Sequence, residues 1–241
     1  MAEQAETLPE GVHHYQDTDD VPFELSKYFH QRYDIFSRYD EGVWMTYDAW
    51  FGVTPEPIAL KIAAQLAEVS PSNKRTLIDA FAGAGGNTIA FALSGRWDEI
   101  FAIEKDPATL ACAKHNAKIY GVEDKIWWIQ GDIFTVLKKR LNSVAQNAVI
   151  FGSPPWGGPS YTTSNVFDLS LMQPYTLTQL HDAFMRKPTE VVLFLPRNSD
   201  LEQIAKYGED NEHRKLKVVH YCMYGASKAL CVFFGRFIWN D

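Results

Sequence analysis

At 241 residues and 46% hydrophobic content, the chain is long enough for one large core or two small ones, and no linker divides it. Its net charge of −7 excludes a surface that wraps many phosphates, so any nucleic-acid partner is expected to be gripped over a small part of its length. No run has membrane-spanning length, the first twenty residues are acidic and polar rather than a signal peptide, and the three cysteines (Cys112, Cys222, Cys231) lack metal-ligand spacing. A soluble, intracellular protein without metal or disulfides is expected.

Residues 1–22 show no apolar periodicity and are read as a flexible acidic tail. From Phe23 to Tyr39, aromatic residues interleave with Lys27, Arg32 and Arg38, as in an amphipathic helical segment. Thr54-Pro-Glu56 then has the grammar of a helix start, and the spacing of Ile58, Ile62, Ala63 and Leu66 predicts a helix from about Pro55 to Val69. Residues 23–70 are therefore read as a helical extension and residues 71–241 as the main domain.

That domain alternates short strands with helices: strand 76–81, helix 86–93, strand 99–103, helix 107–120, strand 125–130, helix 133–141, strand 147–151, a helix near 176–185 and strand 190–195. Such alternation predicts α/β architecture with a doubly wound, mostly parallel sheet. A short helix at 200–207 precedes two strand-like runs, 215–224 and 229–239, separated by Gly225-Ala-Ser-Lys228 and expected to form an antiparallel hairpin.

Asp79-Ala-Phe-Ala-Gly-Ala-Gly-Gly-Asn87 lies between the first strand and helix, where glycines let backbone N–H groups approach a ligand. Its spacing is not the G-x-G-x-x-G of a dinucleotide site. Asp79 ends that strand, Glu104 ends the next, and Asp132 ends the third. In an open parallel sheet ligands bind at this edge, and the second acid typically holds a ribose diol. The ordered set resembles the S-adenosylmethionine pocket of class I methyltransferases, whose sheet has seven strands with an antiparallel C-terminal hairpin strand.

Gly152-Ser-Pro-Pro-Trp156 follows the fourth strand. An exocyclic amine conjugated to a base is a poor nucleophile. A rigid turn can orient it and draw its lone pair out of conjugation by accepting hydrogen bonds at the Ser153 side chain and the Pro154 carbonyl. Indole gives the strongest cation–π face, which favours a positively charged base such as 7-methylguanine over Trp156.

Ser153-Pro-Pro-Trp-Gly-Gly-Pro-Ser-Tyr161, with Asp79 to Ile89, Trp50-Phe-Gly-Val-Thr-Pro-Glu56, Phe36-Ser-Arg-Tyr-Asp40 and Phe194-Leu-Pro-Arg-Asn198, resembles the trimethylguanosine synthase family over residues 25–235. The resemblance implies an S-adenosylmethionine-dependent enzyme that methylates N2 of the 7-methylguanosine cap twice, giving the 2,2,7-trimethyl cap of small nuclear and nucleolar RNAs. It implies that Asp79, Ala80, Gly83, Gly85, Asn87, Glu104 and Asp132 hold S-adenosylmethionine, with Phe36 and Thr54 closing over it. Ser153 and Pro154 would face the N2 amine, with Trp156 stacked on the base and Asn116 near its other face. Lys27, Tyr161 and Arg197 would meet the triphosphate. Partners would be capped small RNAs, with snRNP or snoRNP proteins, in the nucleus, with the nucleolus or Cajal body as sites and a cytoplasmic pool also allowed. Glu104 stands where the family often has Asp, and Ser160 replaces an acid common before the tyrosine.

Two other readings stay open. A methyltransferase for another exocyclic amine (adenine N6) or an amide nitrogen would act on unmethylated bases, which Trp156 argues against. A catalytically silent m7G cap-binding module would be expected to have lost Asp79, Ser153 or the glycines.

Overall fold

The computed structural model describes residues 8–158, 161, 163–185, 190–209 and 216–239. The described chain opens with strand β1 (Val12–His13) and two single-turn helices, α1 (Ser26–Phe29) and α2 (Arg32–Ile35). Strand β2 (Met45–Thr46), α3 (Ala49–Gly52) and α4 (Glu56–Val69) follow. Alternation then begins with β3 (Thr76–Asp79), α5 (Gly86–Leu93), β4 (Glu99–Glu104) and α6 (Pro107–Ile119). It continues with β5 (Ile126–Gln130), α7 (Ile133–Lys139) and β6 (Ala148–Gly152). Last come α8 (Leu177–Phe184), β7 (Glu190–Pro196), α9 (Leu201–Glu209), β8 (Leu216–Met223) and β9 (Ala226–Phe234).

Seven strands form one sheet in the order β5-β4-β3-β6-β7-β9-β8. Strands β3 to β7 are mutually parallel, whereas β9 runs antiparallel between β7 and β8. The interior strands β6 and β7 are buried at every position, as expected when helices cover both faces. One face packs against α4, α5 and α6 with the N-terminal segment, the other against α7, α8 and α9. Strand order reverses at β3, with β4 on one side and β6 on the other, so a crevice opens at the carboxyl ends of β3 and β6. No described helix is long and apolar enough to cross a membrane.

The N-terminal region departs from the sequence expectation. Residues 1–7 lie outside the described residues, but residues 8–22 are not a free tail. Val12 and His13 pair with Thr46 and Met45, the His14 ring bonds Val43 O at 2.9 Å, and Tyr39 Oη donates to Tyr15 O at 3.0 Å. Trp50 Nε1 donates to His13 Nε2 at 2.9 Å, and burial lowers the His13 pKa, which keeps that nitrogen available as an acceptor. Phe29, Tyr39 and Trp50 sit at the centre of this group with ring centroids 5.9–6.3 Å apart. Such pairs contribute about 1 kcal/mol each beyond simple burial. The single helical segment expected over residues 23–39 is likewise broken into short turns, with Phe29 and Tyr39 in this cluster, Tyr28 against Phe51, Phe36 against Tyr120 and Phe23 exposed.

Candidate active site

Asp79 closes β3 in the middle of the sheet and is wholly buried. Thr88 Oγ1 donates to its Oδ2 at 2.6 Å and Phe81 N to its Oδ1 at 3.3 Å. Burial pushes its pKa up to about 6, with the nearby Glu104 adding to the rise and the two hydrogen bonds opposing it. A carboxylate held this way ionises near neutral pH and favours a cationic ligand beside it.

The turn from β3 to α5 needs its glycines. Gly83 and Gly85 have φ of 55° and 97°, and an added side chain at Gly85 would press on the Ala113 backbone at 3.3 Å. Among the described residues, a side chain at Gly83 would meet nothing within 4 Å. Glu104 Oε2 accepts from Gly83 N at 3.0 Å and Oε1 from Asp106 N at 2.9 Å, which fixes the acid at the rim of the turn. Ala80 is buried and its N–H extends the ladder to Phe151 O at 2.8 Å.

Asp132 caps α7, accepting from Thr135 N at 3.0 Å, and its other oxygen accepts from Tyr175 Oη at 2.9 Å. Burial raises its pKa, but these hydrogen bonds and the nearby Lys105 outweigh that and hold it below the usual carboxylate range. Asp132 is thus an anion on the same sheet edge as Asp79 and Glu104.

The N-terminal extension reaches this edge through Thr54. Thr54 is 3% exposed and accepts at Oγ1 from Asn87 Nδ2 at 2.9 Å. It does not cap α4, whose first turn follows Pro55 without a side-chain cap. Its backbone lies so close to the glycine turn that an added Cβ on Gly86 would sit 3.1 Å from Thr54 O. Phe36 is buried and lines a small cavity with Gly86, Ile89 and Tyr120, reaching the helix that the turn opens.

These residues fit S-adenosylmethionine on one observation beyond their chemistry. Among the described residues, Asn87 Oδ1 is buried without a hydrogen-bond partner at the head of α5, the helix that the glycine turn opens. A buried acceptor left in this state is a place for a ligand donor. Among the described residues, no group of three or more His, Cys, Asp or Glu side chains is arranged to hold a metal ion.

Ser153 and Pro154 continue β6, next to β3, so they emerge beside Asp79; the partner of Asp79 across the ladder is Phe151. Ser153 is half-buried and Pro154 buried. Trp156 packs between the two halves of the core while staying partly exposed. Its Nε1 donates to Phe194 O at 3.2 Å, and Tyr161 meets it edge-on at 5.0 Å and 87°. The indole is therefore fixed by its own N–H and by a ring at right angles, which prepares it for stacking. Pro159 and Ser160 lie outside the described residues.

Arg197 follows β7 and is exposed, with Nη1 donating to Ser227 O at 3.3 Å. Asn198 Nδ2 donates to Tyr161 O at 2.9 Å, tying the Arg197 segment to the tyrosine. Burial raises the Tyr161 pKa, Arg197 opposes that rise and Tyr28 adds to it, so Tyr161, Arg197 and Tyr28 share one neighbourhood. Lys27 is exposed on α1, one residue before Tyr28.

Asn116 is a correction. It is fully buried in α6, with Nδ2 donating to Trp44 O and Ala84 O at 2.9 Å each and Oδ1 accepting from Trp44 N at 2.8 Å. All its polar atoms are engaged by backbone, so it clamps the extension to the glycine turn instead of lying against a base. Sequence reasoning also missed Thr88, Tyr175 and Asn198. Thr88 and Asn198 stood inside quoted motifs, whereas no sequence signal joins Tyr175 to Asp132.

A seven-stranded sheet with one antiparallel strand, a glycine turn at its switch point and acids on three successive strand ends defines a class I methyltransferase. Solved structures agree on the fold. A Porphyromonas gingivalis W83 chain assigned as a methyltransferase aligns with TM-score 0.64 and 15% identity, over 91% of this chain and 54% of its own. The O-methyltransferase TomG of Streptomyces achromogenes, solved with S-adenosylmethionine, aligns with TM-score 0.53 and 12% identity over 90% and 91%. Residues 74–237 match the family described as RNA cap guanine-N2 methyltransferase. Trimethylguanosine synthase of Schizosaccharomyces pombe is 40% identical over 89% of this chain and 87% of its own length, and that of Saccharomyces cerevisiae 34% over 90% and 69%. The chain belongs to the RNA cap guanine-N2 methyltransferase family, and it is a methyltransferase acting on N2 of the cap guanine.

Proposed function

We propose that the protein methylates N2 of 7-methylguanosine caps twice, yielding the 2,2,7-trimethyl form, with S-adenosylmethionine as methyl donor. The observation that carries this reading is the placement of Trp156, fixed through Phe194 O and Tyr161, on the segment that leaves β6 beside Asp79.

Asp79, the glycine turn, Asn87, Glu104 and Asp132 would hold the donor, with Thr54 and Phe36 of the extension covering it. When bound, S-adenosylmethionine supplies a methyl group made electrophilic by its cationic sulfur. Trp156 stacks on the cationic guanine, a contact of about 2 kcal/mol once water is excluded. Ser153 and the Pro154 carbonyl accept hydrogen bonds from the N2 amine and turn its lone pair out of conjugation. No strong base is needed beforehand, because the alkylated amine is itself acidic and can lose its proton to Ser153 or water. Lys27, Tyr161 and Arg197 meet the triphosphate, a phosphate set small enough for a chain of net charge −7.

The same resemblance supports small nuclear and nucleolar RNAs as substrates, their protein complexes as partners and the nucleus as the site of action. Incubation with 7-methylguanosine triphosphate (m7GTP) and S-adenosylmethionine, with products resolved by mass over time, tests the reaction. Successive singly and doubly methylated products are expected. A product that stops at one methyl overturns the double transfer, and binding without transfer overturns the enzyme.

A further inference from the structure

The turn of the C-terminal hairpin carries a residue that the methyl-transfer chemistry does not use. Met223 pairs with Ala226, leaving Tyr224 and Gly225 as a two-residue loop with φ of 51° and 75°. Such a loop suits Asn-Gly or Gly-Gly, because a bulky residue in left-handed geometry crowds its own backbone. Tyr224 is 83% exposed, so packing does not offset this strain. Its hydroxyl donates to Asp34 Oδ1 on α2 at 2.8 Å, which holds an outward ring in a set direction.

The surroundings of this ring are cationic and continuous with the site already described. Arg197 Nη1 donates to Ser227 O at 3.3 Å, Lys228 is the next residue, and Lys61 Nζ reaches Cys222 O at 3.5 Å. The Asp34 carboxylate is the opposing charge, and Tyr224 engages it. Among the described residues, Ser227 Oγ and Asn198 Oδ1 are buried without a hydrogen-bond partner, one beside the Arg197 head group and the other on the next residue. Ribose hydroxyls are groups that would satisfy them. Ser227 lies opposite Cys222, two residues before Tyr224 on the facing strand, so roughly 7 Å of strand separates it from the turn, a span on the scale of one nucleotide.

We propose that this turn binds the first nucleotides of the RNA beyond the cap triphosphate, with Tyr224 stacking on a base and Lys228 and Lys61 meeting phosphates. The proposal rests on the reading of Arg197 as a triphosphate ligand. Stacking on one ring tolerates any base, so the site holds single-stranded RNA without selecting its sequence.

The test is the KM for m7GTP and for an m7G-capped oligoribonucleotide, measured on the wild type, Tyr224→Asn and Lys228→Ala. Asparagine suits the turn, so the hairpin is retained and the melting temperature of Tyr224→Asn should not fall. The expected result is a KM for the capped oligonucleotide raised about tenfold in Tyr224→Asn, with the KM for m7GTP unchanged. Lys228→Ala should raise the same KM and weaken its dependence on salt. If neither variant raises the oligonucleotide KM, or if both substrates lose affinity alike, the proposal is overturned while the cap reading stands. A wild type that methylates neither substrate overturns both.

Discussion

Asn87 and Thr54 join the two parts of the chain: the Asn87 amide at the head of α5 donates to the Thr54 hydroxyl at 2.9 Å, and both side chains are buried. The N-terminal extension is therefore bonded to the glycine turn instead of being draped loosely across it.

Thr54→Val keeps the shape of the side chain and removes the acceptor. It leaves a buried amide donor unpartnered, at a cost of about 1–3 kcal/mol. Thermal unfolding should show a lowered melting temperature, and titration with S-adenosylhomocysteine should show weaker binding. Unchanged values for both would mean that the bond does not organise the cradle.

Asp79 gives the cradle a distinctive pH response. Its folded pKa of about 6 lies above the ordinary 3.8, so the buried group favours its protonated form. Its stabilising effect is fully present below pH 3.8 and is lost as pH rises through about 6, a swing of roughly 3 kcal/mol. Asp79→Asn should flatten that part of the stability profile and raise the melting temperature of the ligand-free protein at pH 7. It should also weaken S-adenosylmethionine binding while leaving m7GTP affinity largely intact. Melting curves from pH 4 to 7 on both proteins, with calorimetric titrations, provide the check; a mutant less stable at pH 7 would contradict the assignment.

Asn116 separates a structural from a substrate role. Asn116→Leu breaks three hydrogen bonds to backbone groups, and leaving those groups buried should cost several kcal/mol. The melting temperature should fall sharply. A stable mutant with a raised KM for m7GTP would return Asn116 to the base.

Trp156→Ala removes the stacking surface and the bond to Phe194 O. Affinity for m7GTP should fall about tenfold or more, while affinity for S-adenosylhomocysteine stays close to that of the wild type. Loss of folding would instead show that the ring serves packing.

The sheet was legible from alternation and apolar runs, and the gathering of Asp79, Glu104 and Asp132 on one edge from an acid at the end of each of three strands. The placement of Ser153 to Trp156 was legible because hydroxyl, prolines and indole, in that order, directly follow the fourth strand, whose neighbour in the sheet ends at Asp79. Residues 8–22 were not, since Val12, His14 and Tyr15 are held by contacts to Thr46, Val43 and Tyr39 that no local period encodes. Asn116 misled for the same reason. Its partner Trp44 is 72 residues away, and helical spacing says nothing about what a polar side chain meets across the fold. Thr54 has the composition of a cap, yet a tertiary partner, Asn87, takes its hydroxyl.

On the proposed function, Trp156 and the Ser153-Pro154 turn present the N2 amine of a positively charged guanine to the donor cradle. Methyl transfer from labelled S-adenosylmethionine to m7GTP and to GTP, measured side by side, tests it most directly. Methylation of m7GTP with none on GTP is the predicted result; equal transfer to GTP would contradict the requirement for a cationic base.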